Sequence, residues 1–518
     1  MKKFDQKKNR LALPALSYSF FSFLSKITGF VRDIFLASFL GSSFIADVFF
    51  IALRLPNSFR RSFSEETFNP AYIPVYGKYS DKGGGLELEF TKQILLAFLV
   101  PSILVSFLVV IYMPEVLDTF LFLSDDEAQN QILIDVCRII FPYLLVIVIS
   151  AVFLGNMNAN KKFSLSAGIP SVLNLVLVFS VASYTLVDVE KIYYLAWSVI
   201  LAGILQIIIV FSSISSKFWR ILASYSEVNK RGLADFFKLY WPTFISSSLF
   251  QINLVVGMLV CSFETGAVSY LYYSERLFYL PLTLIGVAIG VVLVPNLSEY
   301  LRRKEHQLAI EQTNKASHYL LSTIIPLTAL LLVLSVEIVS FLFERGEFNA
   351  ESTKNTASIF TLFLLGLPAA GFIKILTPYF FALEKPKLPL IASLKSNVLN
   401  FLLILVLFQL IGFRGVPLAL SISSWVLVYL LLKEHKKNNF FKIEAEVKLN
   451  VFKYIFLFFL ILSSGFWLSN FSQIDNLTSV NKILIISSIE VCIYLGFVYL
   501  FDRDLSKQLN SFYRKFIS

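Results

Sequence analysis

The sequence predicts an all-α polytopic membrane protein: about fourteen transmembrane helices, arranged as two six-helix lobes in parallel repeat plus two C-terminal helices. Three observations predict it: an apolar composition, a charge asymmetry between alternate loops, and an internal repeat. Of 518 residues, 56% are hydrophobic and 15% charged, whereas a soluble domain carries roughly a quarter charged residues. A chain this long and apolar is expected to cross a bilayer many times.

A spanning helix needs about 20 mostly apolar residues. Candidates run over 12–40, 44–66, 93–113, 132–155, 164–185, 192–213, 239–262, 267–297, 316–343, 356–382, 389–409, 415–432, 454–470 and 483–501. The first is long, and a break is expected near Gly29. Pro14, Pro56, Pro142, Pro170, Pro242, Pro281 and Pro368 lie within or near these spans. Such breaks suit a transporter, where a cavity accommodates freed backbone groups. The start, "MKKFDQKKNR" before an apolar run, resembles a signal peptide. Lys26 and Arg32 interrupt that run and no small-residue cleavage site is clear, so it reads as a retained helix.

Alternate loops differ in charge. The segments 1–10, 75–92, 156–162, 214–238, 299–315, 383–388, 433–453 and 502–518 hold 31 Lys and Arg. The opposite set, 41–45, 114–131, 185–191, 263–266, 344–355, 410–416 and 470–482, holds five. The positive-inside rule then places both termini in the cytoplasm. It also accounts for the net charge of +10 as a topology signal, so no nucleic-acid partner is expected.

The first six spans resemble the next six. "ALRLPNSF…AYIPVYGKY" compares with "SERLFYLP…VLVPNLSEY", pairing Arg54 with Arg276 and Pro74 with Pro295. "KKFSLSAGIPSVLNLVLVF" compares with "PKLPLIASLKSNVLNFLLIL", pairing Asn174 with Asn400. "LAWSV" compares with "LALSI", pairing Ala196 with Ala419, and Pro14 pairs with Pro242. The offsets for Arg54, Asn174, Ala196 and Pro14 are 222, 226, 223 and 228 residues. An even number of spans per repeat makes it parallel, about an axis along the membrane normal. The expected organisation is an N-lobe over 1–213, a cytoplasmic linker over 214–238, and a C-lobe over 239–432. A second linker covers 433–453, and the last two helices with a cytoplasmic tail cover 454–518.

Soluble-type catalysis has little material. Cys137, Cys261 and Cys492 lie far apart in apolar runs, and His306, His318 and His435 fall in or beside polar loops. That is neither a disulfide framework nor a metal site, and no cofactor or metal is expected. The acidic "SDDE" at 124–127 has no companion motif and reads as a solvated outer loop.

Nine basic residues fall inside the spans: Lys26, Arg32, Arg54, Arg60, Arg61, Arg138, Arg276, Lys374 and Lys395. A charge at the bilayer centre costs at least about 2.5–3.5 kcal/mol on insertion scales. Such groups must meet water, a partner charge or an anionic ligand. Arg60 and Arg61, near a cytoplasmic helix end, could snorkel to headgroups. Arg32 and its neighbour Asp33 could serve structure, Arg138 reads as a packing or snorkelling residue, and Lys374 and Lys395 stay open. Lys26 and Arg276 sit deeper. On the second span Asp47, Arg54 and Arg61 recur every seven residues, with Asn57 three after Arg54, so one helix face is polar. Intramembrane acids are fewer: Asp33, Asp47, Glu275 and Glu337 are clearest. A net-positive interior implies an anionic substrate, and guanidinium groups suit phosphate or pyrophosphate through paired hydrogen bonds.

Motifs sharpen this reading. "SKITGFVRD", "ADVFFIALRLPNSFRRSFSEETFNPAYIPV", "SYLYYSERLFYLP…GVAIGVVLVPNLS" and "FERGEFNAEST" closely resemble the MurJ (MviN) family of lipid II flippases, over most of residues 15–430. That family belongs to the multidrug/oligosaccharidyl-lipid/polysaccharide exporter superfamily. The resemblance implies two six-helix lobes plus two C-terminal helices forming a lipid groove. It implies transport of undecaprenyl-pyrophosphate-linked disaccharide-pentapeptide across the bacterial inner membrane, by a monomer that also contacts membrane lipids. Carried over by motif, the family's basic residues fall on Lys26, Arg32, Arg60 and Arg276, and its acid on Asp47. The expected substrate-binding set is Lys26, Arg32, Asp33, Asp47, Arg54, Asn57, Arg60 and Arg276, with no catalytic residue. Three motifs depart from the family. Lys26 stands where Arg is usual, "EETF" replaces "EGAF", and "SERL" replaces "ADRL". Some members bind sodium through an aspartate on the seventh span, but here no acid lies between Trp241 and Phe263.

Other functions fit less well. A flippase for another lipid-linked oligosaccharide, of the O-antigen type, is the nearest alternative. A cation-drug antiporter would need cavity carboxylates. A prenyl-phosphate transferase would need clustered aspartates or a loop base. A scaffold could shed its costly buried charges.

Overall fold

The computed structural model describes residues 2–62, 65–120, 126–214, 216–223, 230–437, 445–475, 477–502, 504–508 and 510–511. Among these all regular structure is helical, with no strand. It divides into two compact units, Met1–Ser269 and Tyr270–Ser518.

The first unit holds α1 (Lys2–Leu40), α2 (Phe44–Ser62), α3 (Glu65–Ser80), α4 (Leu86–Ile111), α5 (Met113–Phe120) and α6 (Glu127–Ile140). It continues with α7 (Tyr143–Ala159), α8 (Phe163–Ser183), α9 (Lys191–Ser212), α10 (Ser216–Ala223) and α11 (Lys230–Cys261). Helix α12 (Ala267–Arg302) starts there and continues in the second unit. That unit also has α13 (His306–Val333), α14 (Ser335–Phe343), α15 (Ala350–Leu364), α16 (Leu367–Ala382) and α17 (Lys387–Ile411). It ends with α18 (Gly415–Lys437), α19 (Ala445–Ser469), α20 (Ser472–Asp475) and α21 (Ser479–Phe501).

Among the described residues, nine segments are long and apolar enough to cross a membrane. One of them, Lys387–Lys437, contains both α17 and α18. The expected spans at 12–40, 44–66, 239–262 and 267–297 fall on α1, α2, α11 and α12. Helix α2 is too charged to pass on hydropathy alone, since it carries Asp47, Arg54, Arg60 and Arg61.

Local chemistry sets several ends. Asp126 caps α6, its carboxylate accepting from the N–H of Ala128 at 3.0 Å and of Gln129 at 3.3 Å. Asn349 caps α15 by accepting from Ser352 N at 2.9 Å. These side chains satisfy backbone donors that have no partner inside the helix. The α17–α18 turn needs glycine twice. Gly412 has φ of 63°, and a Cβ on Gly415 would lie 2.4 Å from the Leu407 backbone.

The expected break near Gly29 is absent: α1 runs unbroken from Lys2 to Leu40. An interior glycine weakens a helix by only about 1 kcal/mol. Gly29 instead gives room to a neighbour, because a Cβ there would lie 3.3 Å from Asn174 Nδ2 on α8. Of the prolines, Pro142 falls between α6 and α7 and Pro368 at the start of α16, while Pro56, Pro170, Pro242 and Pro281 lie inside continuous helices.

Helices α1 and α8 pack along their length, as do α8 and α9, and in the second unit α17 and α18. Helix α11 packs on α2, α3 and α4 and so groups with the first unit. Compactness follows packing, while the repeat follows sequence offset, so the two divisions differ. The main core of the first unit is aromatic. Phe68, Tyr72, Phe90, Phe153, Phe236 and Tyr240 are buried together, and the Tyr72 hydroxyl pairs with Thr91 Oγ1 at 2.6 Å. The C-terminal helices are fastened to the second unit: α19 lies on α13, and α21 on α19 and α14. Val333, Leu334, Leu468 and Ile486 form the buried cluster there.

Candidate functional site

The first unit gathers part of the expected set around α1, α2 and α8. Arg32 is buried and forms an ion pair with Asp33, Nη2 to Oδ1 at 2.6 Å and Nε to the same oxygen at 3.0 Å. Its remaining terminal nitrogen, Nη1, donates to Asn174 Oδ1 at 2.9 Å. Asn174 in turn donates from Nδ2 to Ser25 O and to Thr28 Oγ1, both at 3.2 Å. One amide of α8 therefore holds three groups on α1, across the close approach that Gly29 permits.

Arg60 is exposed on the last turns of α2. Its charge and that of Arg32 both act on the buried phenol of Tyr143 at the start of α7. Tyr143 donates from its hydroxyl to Gln206 Oε1 at 2.9 Å, and Gln206 Nε2 donates to Ile169 O at 3.2 Å. The two arginines thus share one electrostatic neighbourhood, built on a phenol fixed by α8 and α9. Lys26, six residues before Arg32 on α1, is exposed and makes no hydrogen bond or ion pair among the described residues.

Asp47 has a different setting. Its carboxylate is buried and accepts from Gly266 N at 2.5 Å, Ser269 N at 2.8 Å and Ser269 Oγ at 2.6 Å. These donors belong to the first turn of α12 and the residue before it, so Asp47 caps that helix and complements its positive end. Asn57 donates to Leu53 O on its own helix at 2.8 Å. Arg54 is half-buried on α2, and the side chain of Arg61 lies outside the described residues. The polar face expected on α2 is thus partly consumed by structure.

In the second unit Arg276 is exposed on α12, with its guanidinium carbon 4.6 Å from the Tyr272 ring centroid and Nη2 donating to the Tyr272 hydroxyl at 3.0 Å. The stacking and the bond together orient the guanidinium. Glu275 beside it is buried. Among other intramembrane cations, Arg138 donates to Val110 O at 3.1 Å, a packing contact, while Lys374 and Lys395 are exposed.

Two residues of this arrangement were not expected as site residues. Asn174 drew notice only through the repeat, and its counterpart Asn400 is buried too, accepting from Ser423 Oγ at 3.3 Å. Tyr143 carried no sequence signal beyond its place after Pro142. Among the described residues no group of His, Cys, Asp and Glu could hold a metal ion.

Comparison with known proteins points the same way. The family model for lipid II flippase MurJ matches residues 36–486. A probable lipid II flippase MurJ of Rhizobium tropici is 32% identical over 416 residues, covering 78% of this chain and 76% of that one. A solved structure of lipid II flippase MurJ in an inward closed conformation superposes with a TM-score of 0.79 at 27% identity, covering 94% of this chain and 99% of that one. An inward-facing multidrug-resistance transporter of the MATE family shares the fold at 12% identity, with a TM-score of 0.65 over 80% of this chain and 94% of its own. The chain belongs to the lipid II flippase MurJ family, a family of transporters and not of catalytic enzymes, and it is an integral inner-membrane protein.

Proposed function

We propose that this chain moves lipid II, the undecaprenyl-pyrophosphate-linked peptidoglycan precursor, from the cytoplasmic to the outer leaflet of the bacterial inner membrane. The observation that carries the reading is the family match over residues 36–486. In this reading the protein supplies precursor for cell-wall synthesis and so maintains cell shape. It works as a monomer with both termini cytoplasmic, in contact with membrane lipids and with no nucleic-acid partner.

The pyrophosphate is held by Lys26, Arg32, Arg60 and Arg276, and the prenyl tail stays in lipid. The shared action of Arg32 and Arg60 on Tyr143 supports placing these two in one site. Asp33 and Asn174 orient Arg32, and Asp47, Arg54 and Asn57 shape the polar face of α2. The sequence repeat supports two six-helix lobes that rock by alternating access around a fixed midplane site, the fourteen spans being completed by two C-terminal helices. Moving one elementary charge across the membrane potential is worth about 2.3 kcal/mol per 100 mV. Export of an anionic lipid from a negative cytoplasm is favoured by that field.

The test is rescue of a bacterium depleted of its own lipid II flippase. Expression of this chain is expected to restore growth and outer-leaflet lipid II. Correct membrane insertion with no appearance of lipid II in the outer leaflet would overturn the proposal.

A further inference from the structure

One ionisable group that the transport reading leaves unused is Glu490, midway along α21. It is the one ionisable side chain between Lys482 and Phe501 apart from Cys492, Tyr494 and Tyr499. It is 2% exposed, and among the described residues its Oε2 has no hydrogen-bond partner. Its Oε1 lies 2.8 Å from Ser464 Oγ on α19. Around it are Gly465, where a Cβ would lie 3.3 Å from the same Oε1 and 2.7 Å from Val333, and the apolar cluster of Val333 and Ile486.

The partners available favour the neutral carboxyl. A serine hydroxyl has one hydrogen to give. Ser464 Oγ also lies 2.7 Å from Leu460 O on its own helix, and that carbonyl can only accept. That one hydrogen can serve Oε1, but among the described residues nothing serves Oε2, and in an apolar bed an ionised group so poorly partnered is far costlier than a neutral one.

We propose that Glu490 is a proton-binding site: its carboxyl is held neutral while Oε1 pairs with Ser464 Oγ, joining α21 to α19 against α13. Losing that proton places an uncompensated charge at this three-helix contact and loosens it. Among the described residues no charge on α13, α14 or α19 acts on Glu490. Glu337 on α14 is half-buried and takes no part, and His318 with Asp502 forms a separate contact. One proton therefore bears on the packing of the C-terminal helices, independently of what the protein transports.

The experiment is infrared spectroscopy of the full-length protein in phospholipid vesicles, wild type against Glu490→Gln. Glutamine is close in shape and its amide can pair with Ser464, so that variant keeps the helix contact. At neutral pH the difference spectrum is expected to show the C=O band of a protonated carboxyl, lost on alkaline titration. Its absence overturns the proposal. Ser464→Ala is expected to move the band to the frequency of a carboxyl with no hydrogen-bond partner, and an unmoved band refutes the assigned pairing.

Discussion

Arg32 on α1 donates to Asn174 on α8 at 2.9 Å, across 142 residues of sequence. With Asp33 on its other side, the guanidinium is fixed in direction and partly neutralised. A pyrophosphate entering this site would compete with Asp33 for the same donors. In the proposed function, ion-pair exchange of this kind would let the site bind an anion and release it again.

Asn174→Ala removes the acceptor of Arg32 and the donor to Ser25 O and Thr28. Leaving a buried polar group unpaired costs about 1–3 kcal/mol. The variant is expected to melt at lower temperature in detergent and to rescue flippase-depleted cells poorly. Full rescue with unchanged melting, at normal membrane levels, would show that Asn174 does not set Arg32.

Asp47 predicts a graded series. Asp47→Asn keeps one acceptor oxygen for the first turn of α12, whereas Asp47→Leu keeps none. Loss of a helix N-cap costs about 0.5–2 kcal/mol, and three donors are affected here. Thermal melting is expected to rank wild type above the Asn variant and the Asn variant above Leu. Equal melting of the two variants would contradict a capping role.

At position 26 charge should outweigh shape, because Lys26 is exposed and makes no fixed bond among the described residues. Lys26→Arg is expected to keep transport and Lys26→Ala to lose it, in a complementation assay with matched expression. Normal growth supported by Lys26→Ala would sink the idea.

The apolar helices were legible because length and hydropathy are local properties, summed over one stretch of chain. Helix α3 was not assigned, being short and carrying Pro70 and Pro74. Those prolines sit four apart on one exposed face, while Phe68, Ala71, Tyr72, Val75 and Tyr76 are buried on the other. That helical period was present, but the prolines masked it. Gly29 carried the opposite error: a glycine kept for close helix approach looks, in sequence alone, like one kept for a bend. The intramembrane basic residues were legible as candidates because charge is costly in lipid wherever it stands. Asn174 and Tyr143 were not, because their partners come from other helices and nothing in an apolar run marks which polar residue faces inward.

Sodium should not be required through the seventh span. The stretch from Trp241 to Phe263 holds no Asp or Glu. Flipping measured in vesicles without sodium, at constant membrane potential, is expected to match flipping with sodium. A large, saturable sodium requirement would refute this and point to neutral ligands such as Asn253, Asn397 or Asn400.

The last prediction concerns how the C-terminal helices are held. Asp502, just past α21, is buried and accepts from the Tyr454 hydroxyl on α19 at 2.5 Å. Its Oδ2 also lies 3.0 Å from His318 Nε2 on α13, and His318 Nδ1 faces Asn450 Nδ2 on α19 at 2.9 Å. Lys453 Nζ reaches Phe501 O at 3.1 Å. Residues of α13 and α19 thus converge on one carboxylate at the end of α21. Asp502→Ala strands the Tyr454 hydroxyl and the His318 ring, each at about 1–3 kcal/mol, and should lower the melting temperature more than His318→Ala alone. Because the partners touch, the double variant should fall short of the sum of the single effects, with a coupling of about 0.5–3 kcal/mol. If these helices also guide the prenyl tail, Asp502→Ala should slow flipping of long-chain lipid more than of a short-chain analogue. Additive losses in melting would show that the carboxylate does not clasp α13 to α19, and equal slowing of both lipids would separate the clasp from the tail path.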